Sequence, residues 1–69
     1  MKISARNQLK GTITKVEKGA ISSIVTLDVS GNTITATISN AAVDDLELKP
    51  GMEAYAIIKA TSVMVGVDH

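Results

Sequence analysis

Four short segments of the 69-residue chain are rich in hydroxyl groups or exposed backbone amides, and two of them also contain a cation. They are Ser4-Ala5-Arg6-Asn7, Gly19-Ala20-Ile21-Ser22, Ser39-Asn40 and Lys59-Ala60-Thr61-Ser62. An oxyanion needs hydrogen-bond donors that converge on several oxygens, and serine hydroxyls, free N–H groups and one or two cations meet that need. Ser39-Asn40 also precedes a predicted helix, whose first N–H groups are unpaired and favour anions. The pattern indicates oxyanion binding.

Each segment also has a purely structural interpretation. Ser39-Asn40 is a common type of helix cap, Gly19-Ala20 fits a turn, and Lys59 fits a lysine that extends from the end of a buried strand into solvent. Taken one at a time, these structural interpretations are the more common ones. The first segment differs, because an arginine and an asparagine beside a small residue have no packing role just before a strand.

Catalytic chemistry is poorly supported by the composition. The chain has no cysteine, and its single histidine is the terminal His69. Its carboxylates include Asp44, Asp45 and Glu47, which fall at helix or turn positions where acids are usually solvated. Without a nucleophile, base and orienting group, we expect no enzyme activity. Without a His/Cys cluster, we also expect no site for a free metal cation.

The charge balance opposes general binding of polyanions. Seven basic and seven acidic residues give a formal net charge of zero, whereas nucleic-acid binding relies on a strong positive field. Single strands are also held by bases stacked on aromatic side chains, and Tyr55 is the only aromatic residue. A small nucleic-acid-binding module is therefore the weaker alternative. The cations are still unevenly placed, since five lie within the first eighteen residues: Lys2, Arg6, Lys10, Lys15 and Lys18.

Period-two alternation predicts three strands in the first forty residues. The apolar phase of the first strand shifts after Ile13, which predicts a bulge near Thr14-Lys15. Residues 21–29 and 34–38 alternate on either side of the turn signal Ser30-Gly31-Asn32. This arrangement predicts a β-hairpin.

The second half of the chain is more apolar. A cap at Ser39-Asn40 predicts a short helix that ends before Lys49-Pro50-Gly51. Residues 52–59 and 63–67 are nearly continuously apolar, which is typical of strands buried on both faces. The predicted fold is an all-β, five-stranded Greek-key barrel of the OB type with one short connecting helix, as a single domain over residues 1–69.

A chain of this length forms a marginal hydrophobic core and usually needs a further stabilising device. Disulfides and zinc are ruled out by the composition, so oligomerisation is the device we expect. A subunit partner would also cover the second apolar face of the C-terminal strands. No signal peptide or membrane-spanning stretch is evident, so we expect a cytoplasmic protein with no membrane partner.

The run Ser4-Ala5-Arg6-Asn7-Gln8-Leu9-Lys10-Gly11 closely resembles the opening motif of the molbindins, which are small molybdate-binding proteins. The segments Gly19-Ala20, Leu46-x-Leu48-Lys49-Pro50-Gly51 and Ile58-Lys59-Ala60-Thr61 agree with that family in order and spacing. The resemblance covers essentially the whole chain. It implies a protein that stores molybdate or tungstate, because a molbindin regulator would need a DNA-binding domain in addition.

The resemblance also implies a homohexamer, assembled as a trimer of dimers, with oxyanions bound at subunit interfaces. By family pattern, one class of site is formed by Ser4, Ala5, Arg6, Ser39, Lys59 and Ala60. A second class near the symmetry axis is formed by Gly19, Ala20, Ile21 and Ser22. Nucleic acid is not an implied partner. Thr61 stands where the family commonly has serine, and threonine retains the hydroxyl group.

Overall fold

Alternating apolar and polar residues organise the chain into one antiparallel sheet, seen in a computed structural model that describes all of residues 1–69. The elements are β1 (Asn7–Lys18), β2 (Ser22–Val29), β3 (Asn32–Ser39), α1 (Asn40–Asp45), β4 (Glu53–Ile58) and a single 3-10 turn (Ala60–Ser62). The all-β class and the one short connecting helix are confirmed. None of the helices has the length and apolar composition that crossing a membrane requires.

The sheet has the strand order β3-β2-β1-β4. This is a Greek-key order, because the fourth strand returns past the helix to lie beside the first. β1 is the longest strand, and it pairs with β4 along its first half and with β2 along its second half. The two ends of β1 therefore organise two different regions of the molecule.

The predicted bulge in β1 is confirmed. The register between β1 and β2 shifts between Ile13 and Lys15. The extra residue lets both Ile13 and Val16 pack against the core, which a strict alternation would not allow. Gly11 permits close approach of β2, because a Cβ atom there would lie 2.4 Å from the carbonyl oxygen of Asp28.

The predicted hairpin between β2 and β3 is also confirmed, with strand pairing that begins at Val29 and Asn32. Its two connecting residues, Ser30 and Gly31, have φ angles of 52° and 87°. Two successive positive φ values are typical of the tight turns whose twist matches a right-handed hairpin. Glycine adopts this conformation freely, whereas serine adopts it at some cost.

The core is small and contains no aromatic side chain. Its buried apolar members are Ile13, Val25, Leu27, Val43 and Ala56. Only six of the 69 residues are buried in the subunit, which is consistent with the marginal core expected from chain length. The short helix contributes Val43 and covers part of one face of the sheet.

Two predictions about the C-terminal half are not met within the subunit. Residues 63–69 form no strand, so the sheet has four strands rather than five, and the edge strands β3 and β4 do not pair to close a barrel. β4 is buried on one face only, since Tyr55 and Ile57 are 46% and 40% exposed. Apolar patterning indicates that a surface is suited to burial, but it does not say which chain buries it. The single sheet has no second layer in this chain to cover its other face.

Candidate functional site

The first predicted cluster comes together at the start of β1. Pairing of Asn7 with Ile58 places the residues after β4 beside the segment that precedes β1. The two segments line one open cavity of about 490 Å³, here called the Lys59 cavity. Its lining residues are Ile3, Ser4, Ala5, Arg6, Ile57, Lys59, Ala60 and Thr61. Five of the six residues predicted for the first class of site therefore share this cavity.

The Lys59 cavity contains cations without carboxylates. Neither Arg6 nor Lys59 forms a salt bridge, and no acidic residue lines the cavity. Three other cations are paired with acids elsewhere, in the pairs Lys10–Glu53, Lys15–Glu17 and Lys18–Asp44. The Glu17 carboxylate raises the pKa of Lys15 above its ordinary value, first through a hydrogen bond and then through its charge. Arg6 and Lys59 are therefore available to bind an anion in this cavity.

Backbone N–H groups add further donors to the Lys59 cavity. Those of Ala5 and Arg6 lie outside the regular elements and donate to no protein acceptor. Ala60 begins the 3-10 turn, and the first N–H groups of a helix have no partner within it. Two hydroxyls, two cations and several free N–H groups form a donor set that suits the oxygens of a dianion.

Two side chains hold the segment that precedes β1. The amide nitrogen of Gln8 donates to the carbonyl oxygen of Ala5 over 2.8 Å. That of Asn7, the first residue of β1, donates to the carbonyl oxygen of Ile58 over 3.2 Å and holds this end of β1 against β4. Asn7 therefore has a structural role that its sequence position did not reveal. The sequence did not identify Gln8 as part of this region, because a polar residue on a strand gives no indication of a hydrogen bond to Ala5.

The second predicted cluster forms the turn between β1 and β2. Gly19-Ala20-Ile21-Ser22, here called the Gly19 turn, is closed by a hydrogen bond of 2.8 Å from the N–H of Gly19 to the carbonyl oxygen of Ser22. The N–H groups of Ala20 and Ile21 donate to no protein acceptor. Ile21 is 83% exposed. The turn therefore presents unpaired donors beside an exposed apolar side chain.

Ser39 lies with the second cluster rather than with Lys59. It pairs with Ser22 at the end of β3, whereas Lys59 lies beside the opposite end of β1. Those two ends are separated by on the order of 30 Å, given the length of a 12-residue strand. The structure confirms the capping role of Ser39, since its hydroxyl oxygen accepts a hydrogen bond of 3.1 Å from the N–H of Ala42. Its hydroxyl proton is still free to be donated.

Comparison with known proteins gives consistent matches. The TOBE domain family matches residues 3–65. The "Probable molybdenum-pterin-binding protein" of Haemophilus influenzae is 59% identical over 69 residues, which are 99% of this chain and 100% of that protein.

Solved structures agree with these sequence matches. MopII from Clostridium pasteurianum, in a form described as apo2, has a TM-score of 0.90 and 43% identity, over 96% of this chain and 100% of that one. The cytoplasmic molybdate-binding protein ModG, with molybdate bound, has a TM-score of 0.91 and 45% identity. That match covers 99% of this chain but 49% of ModG, so this chain corresponds to about half of it. The protein therefore belongs to the TOBE-domain family, among the molbindins that its opening motif resembles.

Proposed function

We propose that this protein binds molybdate or tungstate, stores the oxyanion reversibly and catalyses no reaction on it. The observation that supports this proposal most directly is the donor set of the Lys59 cavity. Arg6 and Lys59 face no carboxylate there, and the Ser4 hydroxyl and free N–H groups lie beside them. The names of the molybdenum-pterin-binding and molybdate-binding relatives favour molybdate among the possible oxyanions.

Binding at this site needs no chemical step. Lys59 and Arg6 offset the two negative charges, and the hydroxyl and N–H groups donate to the oxygens. Molybdate, tungstate and sulfate are all tetrahedral dianions, so selection among them depends on how well the donor cage fits the size of the anion. Sulfate is the smallest of the three and would leave some donors without a good partner.

The site is completed by a second subunit. Lys59, Arg6 and Ser4 are exposed in the single chain, where water weakens charge-assisted contacts. Ser39 lies at the far end of β1, so it reaches the Lys59 cavity only if another copy supplies it. We therefore place the first class of oxyanion at an interface between copies of this chain.

The C-terminal tail supports the same assembly. Val63, Met64, Val65 and Val67 are all large apolar residues left exposed, with Met64 and Val65 each 93% exposed. The free edges of β3 and β4 offer unpaired backbone groups to an extended segment. In our proposal the tail forms the fifth strand against a neighbouring subunit and completes the OB-type barrel. The family resemblance makes the assembly a hexamer built as a trimer of dimers.

The Gly19 turn forms the second class of site in this proposal. Its free N–H groups suit an anion held by backbone donors. The exposed Ile21 side chain suits a position where copies of the turn meet around a symmetry axis.

We assign the protein to the cytoplasm, because the similar protein ModG is described as cytoplasmic.

Calorimetric titration of molybdate, tungstate and sulfate into the purified assembly tests the function. We expect saturable binding of the first two anions and much weaker binding of sulfate. Equal affinity for sulfate would contradict selection by size, and no heat with any of the three would contradict oxyanion binding itself.

A parallel titration with a single-stranded oligonucleotide tests the alternative. Tyr55 is 46% exposed, yet a lone aromatic residue provides no stacking platform for successive bases. We therefore expect at most weak binding that salt removes. Tight binding that resists salt would favour a nucleic-acid-binding module.

A further inference from the structure

Asn40 forms three hydrogen bonds to the segment that contains the Gly19 turn. Its backbone N–H donates to the carbonyl oxygen of Ile21 over 3.0 Å. Its side-chain amide donates to the carbonyl oxygen of Gly19 over 3.0 Å. Its side-chain oxygen accepts a hydrogen bond from the hydroxyl of Ser23. A single residue at the start of α1 thus holds two carbonyl groups of the turn and the first inward residue of β2.

Ser23 makes this attachment difficult to break. Its side chain is fully buried, at 0% exposure, among residues that are otherwise apolar. Asn40 is the hydrogen-bond partner of its hydroxyl. A buried hydroxyl without a partner is costly, so Ser23 favours the conformation in which Asn40 points toward the turn.

The attachment also sets the direction of a free donor. The carbonyl of Gly19 and the N–H of Ala20 belong to one peptide unit, and every peptide bond in the chain is trans. In a planar trans peptide these two groups point in opposite directions. Because Asn40 binds the Gly19 carbonyl, the N–H of Ala20 must point away from Asn40 and toward the outside of the turn.

We propose that Asn40, held by the buried Ser23, is a positioning residue for the second class of oxyanion site. It fixes the Gly19–Ala20 peptide so that the N–H of Ala20 is already directed at the anion, and it does not touch the anion. Preorganised donors bind more tightly because their ordering cost is met during folding. This inference rests on the proposed function of the Gly19 turn and adds residues that neither class of site includes.

Two variants separate positioning from general stability. Asn40→Ala removes the hydrogen bond from the side-chain amide to the Gly19 carbonyl and leaves the Ser23 hydroxyl buried without a partner. Both the stability of the fold and the affinity at the second site should therefore fall. The double variant with Ser23→Ala removes that unsatisfied hydroxyl, and loss of both partners of a buried pair is often nearly neutral. Its stability should therefore recover, whereas its Gly19–Ala20 peptide is still untethered and its affinity should stay low.

The test is an NMR titration of the intact oligomer with molybdate, following the amide signal of Ala20 for the second site and that of Arg6 for the first. In both variants we expect affinity at Ala20 to fall about two- to tenfold, the loss of about one hydrogen bond. Affinity at Arg6 should not change. Denaturant unfolding of the same samples reports stability. The matched control is Asn32→Ala, which removes an exposed asparagine at the other end of β3. It should change neither the affinity at Ala20 nor the stability.

The possible outcomes are distinct. If affinity at Ala20 recovers together with stability in the double variant, Asn40 acts only through folding and the inference is wrong. If Ala20 does not respond to molybdate in the parent while Arg6 does, the second site is misplaced and the inference fails with it. If neither amide responds in the parent, the proposed function itself is refuted.

Discussion

Replacing Lys59 by alanine removes one of the two cations that line the Lys59 cavity and have no carboxylate partner. We expect this change to weaken molybdate binding more than it weakens assembly. Lys59 is exposed in the subunit and follows the last residue of β4. Its truncation therefore opens no cavity in the core and breaks no ion pair within the chain.

The size of the effect reports whether the site is closed by a partner. An exposed charge pair contributes about 0.2–1 kcal/mol, so an open site would lose less than about fivefold in affinity. A charge-assisted hydrogen bond in a desolvated site contributes about 1.5–3 kcal/mol, which corresponds to about tenfold to a hundredfold. Because we place this site between subunits, we expect the larger loss. Ser4→Ala removes a neutral donor worth about 0.5–1.5 kcal/mol and should cost less.

Isothermal titration of molybdate into each variant measures these losses, and sedimentation velocity checks the assembly. Lys49→Ala is a matched control, because Lys49 is also exposed, also lacks a salt bridge and lies outside the Lys59 cavity. It changes the net charge equally and should leave affinity near that of the parent. If Lys59→Ala and Ser4→Ala both bind like the parent while staying oligomeric, the proposed site is in the wrong place. An equal loss with Lys49→Ala would point to net charge as the cause.

Three further changes test the fold and the assembly. Gly11→Ala should lower the free energy of unfolding in a denaturant titration by about 1–3 kcal/mol, because the added Cβ would meet the carbonyl oxygen of Asp28 at 2.4 Å. An unchanged value would show that β2 does not approach Gly11 this closely. Ser30→Asn should raise the free energy of unfolding by up to about 1 kcal/mol, because asparagine tolerates the positive φ of 52° better than serine. A decrease would show that the turn geometry is wrong. Val65→Asp should shift the assembly toward monomer in sedimentation velocity. A carboxylate at position 65 is costly only if a partner subunit covers that position, so an unchanged oligomer would place the tail outside the interface.

Local features of the fold were predictable because they depend on neighbouring residues. The phase shift after Ile13 located the bulge, and Ser30-Gly31-Asn32 located the hairpin turn. The Ser39 cap likewise followed from its position before the helix. In each case the sequence signal lies within a few neighbouring residues, so it could be read without knowledge of the tertiary structure.

The arrangement of the candidate site depends on long-range pairing and was only partly predictable. Pairing of β1 with β4 joins Ser4 and Lys59 but separates both from Ser39, and no local pattern encodes that separation. The predicted fifth strand is not confirmed within the subunit. The reason is related, because apolar patterning does not identify the chain that provides the partner strand.

The position of Ser23 in β2 carries a signal for its hydrogen-bond partner. Ser23 occupies an inward position in an alternation that is otherwise apolar, between Ile21 and Val25. A polar residue on a core-facing position must find a hydrogen-bond partner. Ser39-Asn40 follows the strand that pairs with this one, and the Asn40 side chain is the partner that the structure shows.

We propose that copies of this chain bind oxyanions between them, using donor clusters at opposite ends of β1. The most direct measurement is a crystal structure of the molybdate-saturated assembly with anomalous scattering from molybdenum. We predict molybdenum peaks at the Lys59 cavity and at the Gly19 turn, with each anion contacting residues from more than one subunit and with Ser39 of a neighbouring copy near Lys59. Peaks absent from the Lys59 cavity, or anions contacted there by a single chain, would contradict the claim.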